Sequence, residues 1–525
     1  MPNSVILSDL SYRTDDGHFL FQDINCRFGS GLNGLIGRNG IGKSTLLALI
    51  AGHLAPTTGH IAVPARIGLL DQSFSCADGD CLSDLFGLRD MLALTARAEA
   101  GTLSADELLK CDWSAAPRAC AALERLGLEP LLDTPLSSLS GGQLSRARLA
   151  ALNFAEPDFL LLDEPSNNLD RQGRAALCRF LENWQKGAII VSHDRELLDR
   201  MDNIVEMSGH GVARYGGNFA DYEAAKETER AVAERTFTDA LKQKRKTVDA
   251  TRRRAESKAR RDANGRRMAA RGDQPRIVAG GLKRKAEATS GRMTMLNARQ
   301  EAAAADALKT AKARFDVVDP FTVTLPPSGL AADRQVIRVE ALCGGYGGKV
   351  LFSGLSFEFT GPFRTAIAGR NGSGKSTLLA ILTGRLAPLA GQAQIFVPYV
   401  FLDQQVSILD DGASLAENYR RLNGGESENE CRAALARFRF RAEAALRPAG
   451  ELSGGERMRA GLACVLGSKV PPSLLILDEP TNHLDLDSIA ILEAGLNAYD
   501  GAILLVSHDR HFCQATGING EVYLT

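Results

Sequence analysis

The stretch Gly37-Arg38-Asn39-Gly40-Ile41-Gly42-Lys43-Ser44-Thr45, continuing LLALIAG, returns as Gly369-Arg370-Asn371-Gly372-Ser373-Gly374-Lys375-Ser376-Thr377, continuing LLAILTG. A unit that occurs twice sets the architecture of the whole chain, so the repeat is the place to begin. Lys43 and Lys375 lie 332 residues apart, as do Gln72 and Gln404, while the pairs Asp163/Asp478 and His193/His508 are each 315 apart. Several motifs therefore recur together and in the same order. Between the glutamine and an LSGG string the first copy is longer, with 68 residues from Gln72 to Ser140 against 49 from Gln404 to Ser453. The excess fits either a larger helical subdomain or a partner-binding arm.

Each glycine-rich string follows an apolar run (GLNGLI, FRTAIA) that predicts a strand, and opens a run (STLLALI, STLLAIL) that predicts a helix. That is the context of a phosphate-binding loop. Glycine allows the backbone to wrap closely around an anion, and main-chain N–H groups and the helix N-terminus then face it. Lys43 and Lys375 are expected to reach the β/γ-phosphates, and Ser44 and Ser376 a Mg²⁺ ion. The partner strings FLLLDEP and LLILDEP deliver Asp163-Glu164 and Asp478-Glu479. A short apolar run ending in carboxylates reads as a buried parallel strand that carries acids to its C-terminal end, where α/β sheets bind ligands. One acid can hold Mg²⁺ while the next orients water.

With LSGGQ at 139–143 and LSGGE at 452–456 added, the chain resembles the ATP-binding-cassette superfamily over nearly all its length outside a central segment. The resemblance implies two cassettes paired head to tail within one chain, each ATP shared between the glycine-rich loop of one and the LSGG string of the other. One site would join residues Gly37 to Thr45, Gln72, Asp163, Glu164 and His193 to Ser453, Gly454, Gly455 and Glu456. The other would join residues Gly369 to Thr377, Gln404, Asp478, Glu479 and His508 to Ser140, Gly141, Gly142 and Gln143. In this family reading Ser44, Gln72 and Asp163, and likewise Ser376, Gln404 and Asp478, serve Mg²⁺. Glu164 and Glu479 act as general bases or position water, and His193 and His508, each in VSHDR, contact the γ-phosphate. Tyr346 in GGYGGK is the expected adenine-stacking residue of the second copy; Tyr12 in LSYRTDDG is proposed for the first, two residues off register. A full set in both sites implies an ATPase hydrolysing at both, since phosphoryl transfer depends on positioning and charge stabilisation.

Within the superfamily the chain is most similar to the ABC-F group, in its duplicated cassettes, its charged helical linker and the string EPTNHLD at 479–485. The first copy reads EPSNNLD at 164–170, so Ser166 and Asn168 stand where the second has Thr and His. These small polar changes bear on the symmetry of the two sites more than on their competence.

A chain of 525 residues exceeds what one core supports. The expected fold class is α/β, with two P-loop cassette domains (1–220 and 321–525), each with a helical subdomain, joined by a long α-helical hairpin linker (221–320). Residues 218–264 contain neither Gly nor Pro, and 292–319 contain neither until Pro320, so each predicts a long helix. Between them Gly265, Gly272, Pro275, Gly280, Gly281 and Gly291 predict a turn region, with a short helix at LKRKAEA. From Lys242 to Arg299 there are 19 Lys/Arg against 5 Asp/Glu, although the whole chain carries a net charge of -1. One basic segment joins acidic domains. It could neutralise several phosphates, and its scarcity of aromatics favours recognition of shape and phosphate over base stacking. The ABC-F resemblance implies a ribosomal partner, with the linker near tRNA and rRNA at the tRNA exit region; a merely solvated helix face is the plainer alternative.

No apolar run reaches the roughly 18 residues a membrane span needs, and the N-terminus lacks the order of a signal peptide, so a cytoplasmic location is expected. The ten cysteines show no CxxC pair or ligand spacing, which argues against a zinc or iron–sulfur site. Three competing functions remain: the ATPase subunit of a membrane transporter with a separate permease, a DNA-associated ATPase, and an adaptor that uses ATP only as glue.

Overall fold

The structure is a computed structural model, and it describes residues 4–71, 77, 79–167, 169–209, 211–269, 295–296, 298–312, 323–482 and 484–524. Gln72, Asn168, His483 and the expected linker tip beyond residue 269 lie outside the described residues. The chain divides into two compact units, Met1–Asp221 with Phe321–Thr525, and Tyr222–Pro320.

The larger unit holds both copies of the repeat. In the first, the strand Leu32–Gly37 that precedes the glycine-rich loop sits inside a six-stranded sheet ordered Ile67–Leu70, Phe159–Asp163, Gly187–Val191, Leu32–Gly37, Asn203–Ser208, Gly211–Gly216. The pairings are parallel except the last, which is antiparallel. In the second, the order is Tyr399–Leu402, Leu474–Asp478, Ala502–Val506, Arg364–Gly369, Gly520–Leu524, parallel throughout. FLLLD is buried at all five positions, as an apolar run in the middle of a parallel sheet should be. Each copy adds a three-stranded antiparallel sheet, Phe19–Phe28, Val5–Arg13, Thr58–Ala62 and then Lys349–Thr360, Gln335–Tyr346, Ala390–Ile395. Apolar side chains of the two sheets and the loop helix close each core: Val5, Phe28, Leu46, Leu161 and Ile189 in the first, Val336, Ile367, Leu378, Ile476 and Leu504 in the second.

Each copy also has a helical part leading to its LSGG string. In the second copy the helices Leu415–Leu422, Glu428–Arg437 and Gly454–Leu466 pack through Tyr419, Leu435, Phe438 and Leu462 onto Leu475 and Leu477 of the sheet. The extra length of the first copy forms the helices Arg89–Glu99 and Ala105–Leu108, neither of which buries a residue fully. It enlarges the helical subdomain without adding to its core.

The helix Phe219–Ala269, all but its first three residues in the smaller unit, runs for 51 residues, about 75 Å at 1.5 Å per residue. It passes through Gly265, where the sequence predicts a turn to begin. A lone glycine costs a helix about 1 kcal/mol, and once nucleated a helix propagates through it when good helix formers follow, here Arg266, Arg267, Met268 and Ala269. The described residues of 295–312 are helical as well. No helix among the described residues is long and apolar enough to cross a membrane.

Candidate active site

Gly42 and Gly374 end the two glycine-rich loops as N-caps of the helices Lys43–Ile50 and Lys375–Leu382, with φ of 102° and 96°. Only glycine adopts that conformation without strain. A Cβ on Gly374 would also lie 2.9 Å from Cδ1 of Phe352. Gly374→Ala should therefore lower stability by about 1–3 kcal/mol and weaken nucleotide binding at that site alone, as thermal melting and fluorescent-nucleotide titration will read. Lys43 and Lys375 are buried, and their ammonium groups donate to the carbonyls of Gly37 (2.6 Å) and Arg38 (3.1 Å), and of Gly369 (3.0 Å) and Arg370 (3.1 Å). The first ammonium is thus held centrally by the loop that would surround a phosphate.

At the C-terminal ends of Phe159–Asp163 and Leu474–Asp478 the aspartates hydrogen-bond the loop serines, Asp163 with Ser44 and Asp478 with Ser376. Burial pushes both carboxyls up, against the pull of the serine and of Lys43 or Lys375. A carboxylate and a hydroxyl so paired form a hard-oxygen donor set that suits Mg²⁺. The next residues, Glu164 and Glu479, have φ of 47° and 45°, left-handed backbone that costs a non-glycine residue energy and is often found at functional sites. Their N–H groups donate to Val191 and Val506, both at 2.9 Å, which fastens each glutamate to the neighbouring strand.

Those neighbouring strands lead into the VSHDR strings. His193 Nε2 stands 3.3 Å from Glu164 Oε1, and His508 Nε2 3.5 Å from Glu479 Oε1. Neither contact has hydrogen-bond geometry: both ring nitrogens of His193, and Nε2 of His508, are buried without a hydrogen-bond partner. Ser373 Oγ in the second loop is orphaned in the same way. Buried polar atoms without partners are rare and point to a polar ligand that would satisfy them. Burial and then the charge of Lys43 lower His193 to a pKa of about 3, and burial, Lys375 and Arg174 lower His508 to about 4, so both imidazoles are neutral at pH 7. Burial raises Glu164 to about 8 and Glu479 to about 7, with Lys43 and Lys375 opposing it. A carboxylate poised near the working pH is the form in which it can accept a proton.

The two copies meet through these same loops. Asp485, the last residue of EPTNHLD, caps its own helix by accepting from Ser488 N (2.9 Å) with one oxygen, and accepts from Asn39 N of the first glycine-rich loop (3.0 Å) with the other. Asp170 likewise accepts from Gly173 N (2.9 Å) and from the backbone of Asn371 in the second loop. Each loop is thus held by the opposite copy. Arg195 of the first VSHDR string adds a bidentate pair to Glu493, at 2.7 and 3.2 Å, with both side chains largely buried. The outer Arg38–Asp487 contact at 3.0 Å is exposed on both sides and adds little.

The LSGG serines are N-caps. Ser140 Oγ accepts from Gln143 N at the head of Gly141–Phe154, and Ser453 Oγ from Glu456 N at the head of Gly454–Leu466. The side chains of Gln143 and Glu456 turn back to receive the Ser140 and Ser453 N–H groups, at 2.9 and 3.0 Å, completing a capping box. Gln404 is exposed in the loop after Tyr399–Leu402. Tyr346 is 54% exposed at the end of its strand, whereas Tyr12 leans on Phe21 and packs against the first core. The exposed aromatic at that edge is Phe19, beneath the Arg13 guanidinium at 4.9 Å.

Known proteins resemble this chain over most of its length. The family model described as ABC transporter matches residues 21–167 and 352–482. ATP-binding cassette sub-family F member 3 of Homo sapiens is 31% identical over 518 residues, covering 93% of this chain and 67% of that protein. The energy-dependent translational throttle protein EttA of Mycobacterium tuberculosis is 30% identical over 527 residues, covering 95% and 87%. Among solved structures, that of the archaeal ribosome recycling factor aABCE1 with the stalk protein aP1 superposes with a TM-score of 0.55 at 18% identity, covering 98% of this chain and 89% of that one; it supports the fold alone. Two glycine-rich loops pinned by opposing aspartates, each with its own acid pair and histidine, make this chain a member of the ATP-binding-cassette superfamily, in its sub-family F, and an ATPase.

Proposed function

We propose that the chain binds the ribosome in an ATP-gated manner, near the tRNA exit site, and modulates translation. ATP closes the two cassettes on each other, and hydrolysis releases them. Ser44 and Asp163, with Gln72, and Ser376 and Asp478, with Gln404, hold a Mg²⁺ that neutralises charge on the phosphates. Glu164 and Glu479 accept a proton from, or orient, the attacking water. The neutral His193 and His508 donate toward the γ-phosphate. Ser140, Gly141 and Gly142, and Ser453, Gly454 and Gly455, meet the nucleotide bound by the opposite loop.

The observation that carries the ribosomal part is the basic helix. Lys242, Arg245, Lys246, Arg252, Arg253, Arg254, Arg260 and Arg261 are all exposed on it, an array suited to phosphates of tRNA and rRNA. A relative named a translational throttle protein, alike over 95% of this chain, points the same way. Gating requires the ribosome to distinguish the closed from the open form, since a ligand shifts only an equilibrium whose states it tells apart. Glu164→Gln with Glu479→Gln should therefore co-sediment with ribosomes when ATP is present, and the unaltered chain with ADP should not. Co-sedimentation indifferent to nucleotide, or ATPase activity stimulated by DNA and not by ribosomes, would overturn this reading.

A further inference from the structure

The helix Leu486–Ala498 of the second copy starts directly after Asp485, which accepts from Asn39 N of the first glycine-rich loop at 3.0 Å. Eight residues after Asp485, on the same helix, Glu493 accepts from both arms of the Arg195 guanidinium, Nη1 at 2.7 Å and Nη2 at 3.2 Å. Midway between them Ile489 lines one cleft with Glu164 and His193 of the first copy. Residues four apart share a side of a helix, so positions 485, 489 and 493 turn one side of this helix toward the first centre. One rigid element thus touches both loops of that centre, the glycine-rich loop at its head and the histidine loop about 12 Å further along.

Arg195 stands two residues after His193 in the same loop. Both ring nitrogens of His193 are buried without a hydrogen-bond partner, so no bond of its own fixes the imidazole, and its place depends on the loop that carries it. Beyond the strand that feeds it, that loop has two charged ties. One lies inside its cassette, from Arg174 Nη1 to Asp194 Oδ2 at 2.7 Å, and the other is the pair with Glu493 across the interface. Among the described residues Arg195 pairs with no carboxylate of its own cassette. The Arg195 and Glu493 side chains are 14% and 13% exposed, so water screens the pair poorly, and the two-pronged contact fixes angle as well as distance. Eight residues after Asp170, the matching place in the first copy holds Cys178, which is hydrogen-bonded to Arg200 of its own cassette and offers Arg510 no carboxylate.

We propose that Glu493 is a positioning residue of the first hydrolytic centre: from the opposite cassette, through Arg195, it sets the histidine loop at the distance from the glycine-rich loop that hydrolysis requires. Because Asp485 and Glu493 stand on one helix, a rigid body fixes the separation of the two loops while the cassettes are together. When the cassettes part, both loops lose that reference at once. His193 then comes into line with a phosphate on the glycine-rich loop only with the second cassette in place. The demand on geometry is strict, since a misplacement of about 1 Å can cost 10²-fold in rate.

The proposal rests on the assignment of Glu164 and Glu479 to hydrolysis, which allows single-site forms to be made: E479Q leaves the first centre, E164Q the second. In E479Q, Glu493→Gln should lower kcat by about 10–10²-fold, with KM for ATP nearly unchanged, since Asp485 still holds the glycine-rich loop. The exchanged pair R195E/E493R, which rebuilds the two-pronged contact in reverse, should recover most of that loss. In E164Q the glutamine should change kcat by less than about twofold, because Cys178 gives the second centre no such contact to lose. If the glutamine or the exchanged variant melts early, Arg195→Met with Glu493→Met removes both buried charges together; it should melt near the unaltered chain and still turn over slowly at the first centre. A rise in KM with kcat kept, equal loss at both centres, an exchanged pair that folds but restores nothing, or a methionine pair at full rate overturns the proposal. Turnover persisting in the E164Q/E479Q double variant overturns the glutamate assignment and this proposal with it; a silent double variant beside an E493Q that leaves the first centre unaffected overturns this proposal alone.

Discussion

Replacing both Glu164 and Glu479 by glutamine should cut ATP turnover by about 10²–10⁴-fold while ATP still binds. Glutamine keeps the size and the hydrogen-bonding shape of glutamate but cannot take up a proton. In the proposed scheme phosphate is held by other groups: the loop N–H groups, Lys43 and Lys375, and the hydrogen-bonded pairs Ser44–Asp163 and Ser376–Asp478. Because each glutamate is held in left-handed backbone by its bond to Val191 or Val506, the substituted side chain occupies the same place. Phosphate release measured beside nucleotide binding separates the two effects. Turnover within tenfold of the unaltered chain would remove both glutamates from the chemistry.

Binding to ribosomes should collapse with salt. If the basic helix neutralises about six phosphates, affinity should fall by about 10³-fold between 50 and 200 mM monovalent salt. The physical reason is counterion release: each phosphate contact frees condensed cations, and added salt makes that release less favourable. Arg252, Arg253 and Arg254 follow one another on the exposed helix and point in different directions, so replacing all three by glutamine should flatten the log–log salt slope by about 1 for each that meets a phosphate. Measured by sedimentation at several salt concentrations with ATP and the glutamine double variant, a slope near zero would show that phosphates are not what this helix meets.

Most of each cassette could be read from local patterns. The glycines at 37, 40, 42 and at 369, 372, 374 report the positive φ that their loops require, and FLLLD and LLILD report burial on both faces of a parallel sheet. The acid pairs and the histidines came from short strings in the right order, because the strands and turns that carry them are encoded within a few residues. The capping boxes Ser140–Gln143 and Ser453–Glu456 are legible too, since serine followed three residues later by Gln or Glu is their signature. Gly265 misled because glycine breaks helices only on average.

Other features had no local signal. Asp485 meets Asn39 across 446 positions of chain, Arg195 meets Glu493 across 298, and the charge of Arg174 reaches Glu479 from the other copy. Tyr12, proposed for stacking two residues off register, is partly buried against Phe21 and the first core, a contact no local pattern announces.

The amino-acid string by itself determined that this protein has two cassettes, which residues form each glycine-rich loop and acid pair, and that a basic helical segment separates them. Backbone conformation, strand burial and charge are properties of neighbours in the chain, so they are written there in order. The tertiary structure alone decided which aspartate pins which loop, and that the buried glutamates are lifted toward neutral pH while the histidines stay uncharged. Desolvation and contact across an interface depend on what folding brings near, and no spacing of letters contains that distance.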